Sequence, residues 1–383
     1  MTRAAKVVFW IAGGALVYAQ AGYPALLAAL ARARGRGAAG APRRPPAGPE
    51  PHVSLVVAAH REAEVIAAKV QNAHALDWPR DRLEVIVACD GSPDDTPARA
   101  RAAGADVVLE LPWGGKVRAQ DAAVRRARGD LLAFSDANAR WEHDALRALA
   151  ARFADPAVGY ACGQVRFVSE GGTNQEGLYW RYEMAIRALE SRLASITAGN
   201  GAIYAVRPEA YVEVDPVMGH DLSLPFTVVK RGWRAVYEPG ARATEKMVPS
   251  IEGEFARKRR MMSHAWPIVL RGGMLSPRGY PPLYALMIAS HRVLRYATPL
   301  LHVLALVASA ALAVSRDGGR VARLALGAQV ALLVAAAAGG RVRARPLLVA
   351  RYYVLTTASI AAGLWDHLRR GTPAGWAPPE GTR

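Results

Sequence analysis

Residues Val7 to Ala31 contain no charged side chain. A helix that crosses hydrocarbon needs roughly 20 apolar residues, so VVFWIAGGALVYAQAGYPALLAALA is long enough to span. The apolar core of a cleaved signal peptide is shorter, about 7–15 residues, which argues against a removable leader. Further apolar stretches crowd the C-terminal quarter: YATPLLHVLALVASAALAV (296–314), LALGAQVALLVAAAAGG (324–340) and PLLVARYYVLTTASIAAGLW (346–365). The last carries Arg351 and is the weakest of the four. A chain so punctuated must hold its polar domain beside a bilayer, between the first span and the second.

The 383 residues carry a formal charge of +17, and 52% of them are hydrophobic. Such a charge raises nucleic-acid binding as a possibility. Here the arginines flank apolar segments, Arg32, Arg34, Arg36, Arg43 and Arg44 after the first and Arg341, Arg343 and Arg345 between the last two. That distribution reads as membrane topology and contact with anionic lipid, with no nucleic-acid partner. It predicts a multi-pass protein of the cell membrane with residues from about 50 to 260 in the cytoplasm, although Arg316, Arg320 and Arg323 fall on the expected outer side. Cys89 and Cys162 form no metal-ligand spacing and are expected as reduced core residues.

Between the spans the pattern repeats as apolar run, turn, helical period. Strands are predicted at 52–60, 83–90, 105–111 and 130–136, with helices at 62–76, 96–104 and 116–129. This alternation implies an α/β domain with a mostly parallel, Rossmann-like sheet covered by helices on both faces. Ligands of such sheets bind beyond the carboxyl ends of the strands. Polar residues collect there: His60-Arg61-Glu62, Asp90, Trp113-Gly114-Gly115-Lys116 and Asp136 end or follow the four strands. The first exit, AAHREAE, lacks G-x-G-x-x-G, and LPWGGKVRA lacks the spacing and hydroxyl of a Walker A loop. The apolar run LLAFSDANARW stops at Asp136 and Asn138, which suits either an Asx-type turn or a metal site. Hard ions such as Mg²⁺ take one or two carboxylates and complete their shell with substrate phosphates. On that reading Asp136 ligates the ion, Asn138 offers a carbonyl oxygen or binds a sugar, and Lys116 offsets phosphate charge.

An ordered series of segments then resembles the family 2 glycosyltransferases, most of all the membrane-bound branch that makes or extends envelope polysaccharides. The segments are VSLVVAAHREAEVI, VIVACDGSPDDT, GGKVRAQDAAVRRARGDLLAFSDANARW, NQEGLYWRYE, TAGNGAIYAVRPEAY, MGHDLSLPFTVVKRGWRAVYEPGARATE and EFARKRRMMSHAW, covering roughly residues 52 to 270. The resemblance implies a GT-A fold, a nucleotide-diphosphate sugar (a UDP-sugar is the expected donor), Mg²⁺ or Mn²⁺, and inversion at the anomeric carbon. It assigns Glu62 and Asp90 to the nucleoside, Lys116 to the uracil or phosphates, Asp136 to the metal, Gly199-Asn200-Gly201 to the donor sugar and Asp221 to the catalytic base. A carboxylate in that last role accepts the proton of an attacking hydroxyl that is otherwise a weak nucleophile.

Three departures stand out. Asn138 replaces the second acid of D-x-D. Ala59-His60-Arg61-Glu62 stands where many members have proline and asparagine. SHAW (263–266) lacks the Gln and Arg of Q-x-x-R-W, keeping Trp266, with Arg257, Arg259 and Arg260 upstream as substitute cations. EFARKRRMMSHAWPIVLRGG combines cationic and apolar character, as expected of a helix lying on a membrane surface. EGLYWRYEMAIRALESRL (176–193) reads as a packed helix, with Trp180 either in the core or stacked on an acceptor sugar.

The expected organisation is therefore a first span (1–32), a linker rich in Pro, Gly and Arg (33–51), a cytoplasmic GT-A domain (52–250), an interfacial segment (251–292), C-terminal spans (293–367) and a tail (368–383). The expected activity is sugar transfer to a lipid-linked or growing glycan acceptor. The alternatives are a polyprenyl-phosphate sugar synthase and a non-catalytic membrane scaffold that retains the fold.

Overall fold

The structure, a computed structural model, describes residues 2–35, 50–168, 176–246, 251–315 and 319–375. Most of the expected linker, Arg316, and the Asn174-Gln175 pair that opens one motif lie outside the described residues. Helices α1 (Thr2–Val17) and α2 (Tyr23–Ala33) are joined by a π-helical turn over Tyr18–Gly22. Together they form a helix, Arg3–Ala33, long and apolar enough to cross a membrane.

The predicted strands form as β1 (Val53–Ala59), β2 (Leu83–Asp90), β3 (Val107–Leu111) and β4 (Leu131–Asp136). They are connected by α3 (Ile66–His74), α4 (Thr96–Ala102) and α5 (Lys116–Arg126). Strand β1 is parallel to β2 and β4, and β2 to β3, as crossover helices require. Every residue of β1 is buried, because both faces of this sheet are covered. Alternate residues serve opposite cores: Val56 and Ala58 join Tyr23 and Leu27 of α2, whereas Val57 and Ala59 join Ile66 of α3. The first candidate span thus packs into the same core as the sheet. Cys89 and Cys162 are buried free thiols, and burial pushes them up to about 12 and about 11.

The far half of the sheet is mixed. It contains β5 (Arg140–Trp141), β6 (Val158–Val168), β7 (Ile203–Val206) and β8 (Arg234–Lys246), in the overall order β3-β2-β1-β4-β7-β6-β8-β5. Strand β7 runs antiparallel to β4 and β6, β5 antiparallel to β8, and β6 parallel to β8. Helices α6 (Ala145–Ala151), α7 (Glu176–Leu193), α8 (His220–Lys230) and α9 (Ile251–Leu270) accompany this half.

Helices α10 (Pro282–Met287) and α11 (Leu294–Ala313) are joined by a second π-helical turn, Ile288–Val293, and α12 (Arg320–Ala338) and α13 (Arg345–Arg370) follow. The segments Pro282–Ala313, Arg320–Ala338 and Arg345–Arg370 are each long and apolar enough to span, which includes the stretch interrupted by Arg351. The second begins at Pro282, well before the apolar run at 296, and takes in residues assigned from sequence to an interfacial segment. The helix continues through His291, Arg292 and Arg295 because carboxylates of α7 receive the first and last, while Arg292 Nε donates to the Thr197 hydroxyl at 2.8 Å. His291 Nδ1 lies 2.7 Å from Glu190 Oε1, and Arg295 pairs with Glu183.

Glu190 is wholly inaccessible. It accepts from the Tyr23 hydroxyl at 2.7 Å, from the Thr197 backbone N–H at 3.1 Å and from the Thr197 hydroxyl. Burial alone would raise its carboxyl, but His291 and Arg292 outweigh burial and hold it below the usual carboxylate range. Nearby, the guanidinium of Arg34 donates to the Leu193 carbonyl at the end of α7, so this arginine caps a helix. Glu190→Ala strips the shared acceptor from Tyr23, Thr197 and His291 and is expected to cost about 3–5 kcal/mol, the scale for breaking a buried pair. Thermal unfolding of the protein in detergent micelles reads that loss.

Candidate active site

The carboxyl ends of β1, β2, β3 and β4 meet at one rim, and a cavity of about 520 Å³ opens beside it. Lys116, the first residue of α5, pairs with Asp136 at the end of β4. Burial alone would lower the Lys116 ammonium, but Asp136 against it, with Asp221 and Glu245 further off, holds it above its ordinary value. Asp221 lies in the first turn of α8, where the helix dipole favours negative charge. Gly201 stands between the two: a Cβ there would lie 3.7 Å from Lys116 Nζ and 3.8 Å from Asp221 Cβ. The Gly199 N–H donates to the Asp221 carbonyl at 2.6 Å, which fixes the glycine-rich turn to α8. Asn200 accepts from the Ala202 N–H at 3.1 Å, while its buried amide Nδ2 has no protein partner.

Glu62, Lys116, Asp136, Asn138, Asn200, Gly201, Asp221, Arg257 and Arg260 all line this cavity. Arg61, just before Glu62, holds φ 56, a left-handed conformation that costs a non-glycine residue and tends to persist at functional turns. Three residues expected at the ligand, Asp90, Arg259 and Trp266, do not line the cavity. Asp90 is buried behind the rim, its carboxylate accepting from the N–H groups of Gly114 at 2.7 Å and Gly115 at 2.9 Å. It thereby shapes the loop that delivers Lys116. Trp266 donates to the Ile360 carbonyl at 3.0 Å and packs against Tyr296, so it ties α9 to the C-terminal helices. Helical spacing explains the split: Arg257, Arg260 and His264 share the cavity face of α9, whereas Arg259, bound to Asp366, and Trp266 face α13. Trp180 packs against the core and donates to the Val165 carbonyl at 2.8 Å, and it also lines the cavity.

Several cavity residues escaped the sequence reading. His220 contacts the Tyr204 hydroxyl at 2.8 Å, and burial, aided by Lys116, pushes its imidazole down to about 3. Outside the lining, buried Lys69 donates to the Ala139 carbonyl at 2.8 Å; burial pushes it down to about 7 against the pull of Asp136 and Glu245. Glu245, Arg187, Arg292, Arg295, Tyr296 and Tyr352 complete the lining. For His220 and Glu245, a place inside the quoted segment MGHDLSLPFTVVKRGWRAVYEPGARATE was the signal; for Arg292 and Arg295, it was charge at the entry of an apolar helix.

A divalent ion fits this donor set only in part. Among the described residues no group of three His, Cys, Asp or Glu could hold a metal. Asp136 and Asn138 at the rim instead suit a hard ion completed by donor phosphate oxygens, and the Lys116 ammonium already marks Asp136 as a seat for positive charge.

A parallel sheet whose strand exits gather a carboxylate–lysine pair, extended by an antiparallel half that brings in a second acid, defines the GT-A glycosyltransferase fold. Residues 54–209 match the family model Glycosyl transferase family 2. A β-monoglucosyldiacylglycerol synthase of Synechocystis sp. is 33% identical over 173 residues, 40% of this chain and 34% of the relative. An N-acetylglucosaminyltransferase of Rhizobium sp. (strain N33) is 26% identical over 231 residues, 55% of this chain and 51% of the relative. The chain thus spans between a third and about half the length of these curated relatives. The solved mannosyltransferase of Pyrobaculum calidifontis, in complex with GDP-Man and Mn²⁺, shares the fold with a TM-score of 0.69 over 96% of this chain and 99% of that one, at 23% identity.

Because folding holds His220 neutral down to about 3 while the unfolded imidazole titrates near 6.5, the unfolded state binds the extra proton between those values. Stability therefore falls as pH drops below about 6.5, with a limiting slope of about 1.4 kcal/mol per pH unit for one such group. Unfolding temperatures recorded from pH 7 to pH 5 are expected to fall less steeply in His220→Asn.

Proposed function

We propose that this protein moves a sugar from a nucleotide-diphosphate sugar to a hydroxyl of a lipid-linked or growing glycan acceptor at the membrane, inverting the anomeric centre. The observation that carries this reading is the gathering of Lys116, Asp136 and Asp221 around Gly201 in one cavity. The same cavity is also lined by Arg292, Arg295, Tyr296 and Tyr352, which belong to helices long enough to span. A water-soluble donor and a lipid-borne acceptor can therefore meet in it. With the arginines after the first span inside, the catalytic domain faces the cytoplasm, where nucleotide sugars are made.

In this reading Asp221 takes the proton of the attacking hydroxyl as its oxygen bonds to the anomeric carbon and the carbon–oxygen bond to the diphosphate breaks. Lys116 meets the negative charge that grows on the leaving nucleoside diphosphate, with Arg257 and Arg260 across the cavity. Asp136 and Asn138 would hold Mg²⁺ or Mn²⁺, which when bound supplies further positive charge at the diphosphate. Asn200 and Gly201 shape the space for the donor sugar, and the unpartnered Asn200 amide offers a donor to a sugar hydroxyl. Glu62 faces the nucleoside end. The sugar-transferring relatives, and the nucleotide-sugar and Mn²⁺ complex of the structural neighbour, support a donor of this class.

A second reading, a polyprenyl-phosphate sugar synthase, is favoured by the guanidinium groups of Arg292 and Arg295, which line the cavity from a helix long enough to span. Product analysis separates the two: one sugar on a lipid phosphate against a glycosidic bond.

Asp221→Asn is expected to keep nucleotide-sugar binding, measured by calorimetry, and to lower transfer by about 10²–10⁴-fold, the usual contribution of a general base. Transfer at the unmodified rate would remove Asp221 from that role.

A further inference from the structure

Beyond the last candidate span the chain turns back over the donor end of the cavity. Gly371, at φ 70, ends α13 in a left-handed conformation. The Thr372 hydroxyl then donates to the Ser263 carbonyl of α9 at 2.9 Å and meets His367 Nδ1 at 2.9 Å. Ala374 lines the cavity. A Cβ on Gly115 would strike the Ala374 carbonyl, and a Cβ on Gly375 would strike the indole of Trp113. Ala374 and Gly375 therefore lie close against Gly115 and Trp113, in the loop that Asp90 also holds through Gly114 and Gly115 and that leads straight into Lys116.

We propose that residues 371–375 form a strap that completes the donor site: they clamp the loop before Lys116 from the cavity side and retain the bound nucleotide diphosphate. This rests on the reading of the cavity as a nucleotide-sugar site. The loop is gripped on both faces, by the Asp90 carboxylate behind and by the Ala374 and Gly375 backbone in front. Glycine at 115 and 375 is what allows backbone to approach so closely. The strap is pinned through Thr372 to α9, the helix that also presents Arg257 and Arg260 to the cavity. Its position is thus set by the membrane-side helices, while its effect falls on the nucleotide. Ala374 presents no group that could transfer a proton, so the strap positions and does not catalyse.

The test uses the full chain in detergent or lipid nanodiscs. Thr372→Val keeps the shape and removes the hydroxyl that pins the strap; Thr372→Ser keeps the hydroxyl; Gly375→Val drives a side chain into Trp113. Thr372→Val and Gly375→Val are expected to weaken binding of UDP or GDP and to raise donor KM by about 3- to 10-fold, the scale of one lost hydrogen bond, with kcat within about twofold. Thr372→Ser is expected to restore the original KM, which general damage to the fold would not allow. Unchanged nucleotide affinity in both weakened variants, tighter binding in either, or a loss confined to kcat overturns the strap. Failure of the unmodified protein to bind either nucleotide in the presence of Mg²⁺ or Mn²⁺ would instead overturn the reading of the cavity.

Discussion

The arrangement depends on a carboxylate sealed away from water. Glu190 sits where the catalytic domain meets the membrane-side helices, and its partners come from three places: Tyr23 in the first candidate span, Thr197 in the turn leading to the glycine-rich segment, and His291 in the second. A buried charge is tolerable only when its neighbours are placed to satisfy it, so this junction admits few alternative geometries. Two residues later in the chain, Gly199 bonds the backbone of Asp221, and Gly201 separates Asp221 from Lys116. The register of the membrane helices is thereby transmitted to the atoms that would carry the chemistry.

The π-helical turns belong to the same junction. One interrupts the first candidate span at Tyr18–Gly22 and the other the second at Ile288–Val293, and the Tyr18 hydroxyl lies 2.9 Å from the Ser290 hydroxyl across them. A π-turn inserts a residue and rotates the side chains that follow, at some loss of helical hydrogen bonding. Here the rotation accompanies the seating of His291 and Arg292 in the protein interior while the same helix carries its apolar face onward. The cavity brings both charges together. Glu62, Asp136, Asp221 and Glu245 line it with Lys116, and so do arginines of α9 and α11. That mixture suits a cation and a diphosphate meeting in one site.

Much of the first half-domain was legible because parallel strands buried on both faces leave continuous apolar runs, and polar residues must mark where those runs end. β2 begins and ends where the apolar run does, and the acid ending β4 is the one expected to face the ligand. The second half was less legible. Its antiparallel strands β7 and β6 follow no crossover rule, and β5 is two residues long. In α9 the run Arg-Lys-Arg-Arg does not reveal which cation faces the cavity, since that depends on how the helix is rotated against α13. Arg260 lines the cavity while its neighbour Arg259 binds Asp366.

The sequence alone determined that this chain pairs a nucleotide-sugar-type α/β domain with helices long enough to span, because periodicity, apolar length and motif order are written residue by residue. Only the tertiary structure decided that Asp90 supports the rim instead of lining it, that Trp266 packs against the C-terminal helices, and that the second candidate span begins at Pro282. Each of these is set by which distant partner satisfies a buried polar group. Such partners are many residues apart along the chain, and proximity of that kind is a property of the packed molecule, to which local pattern is blind.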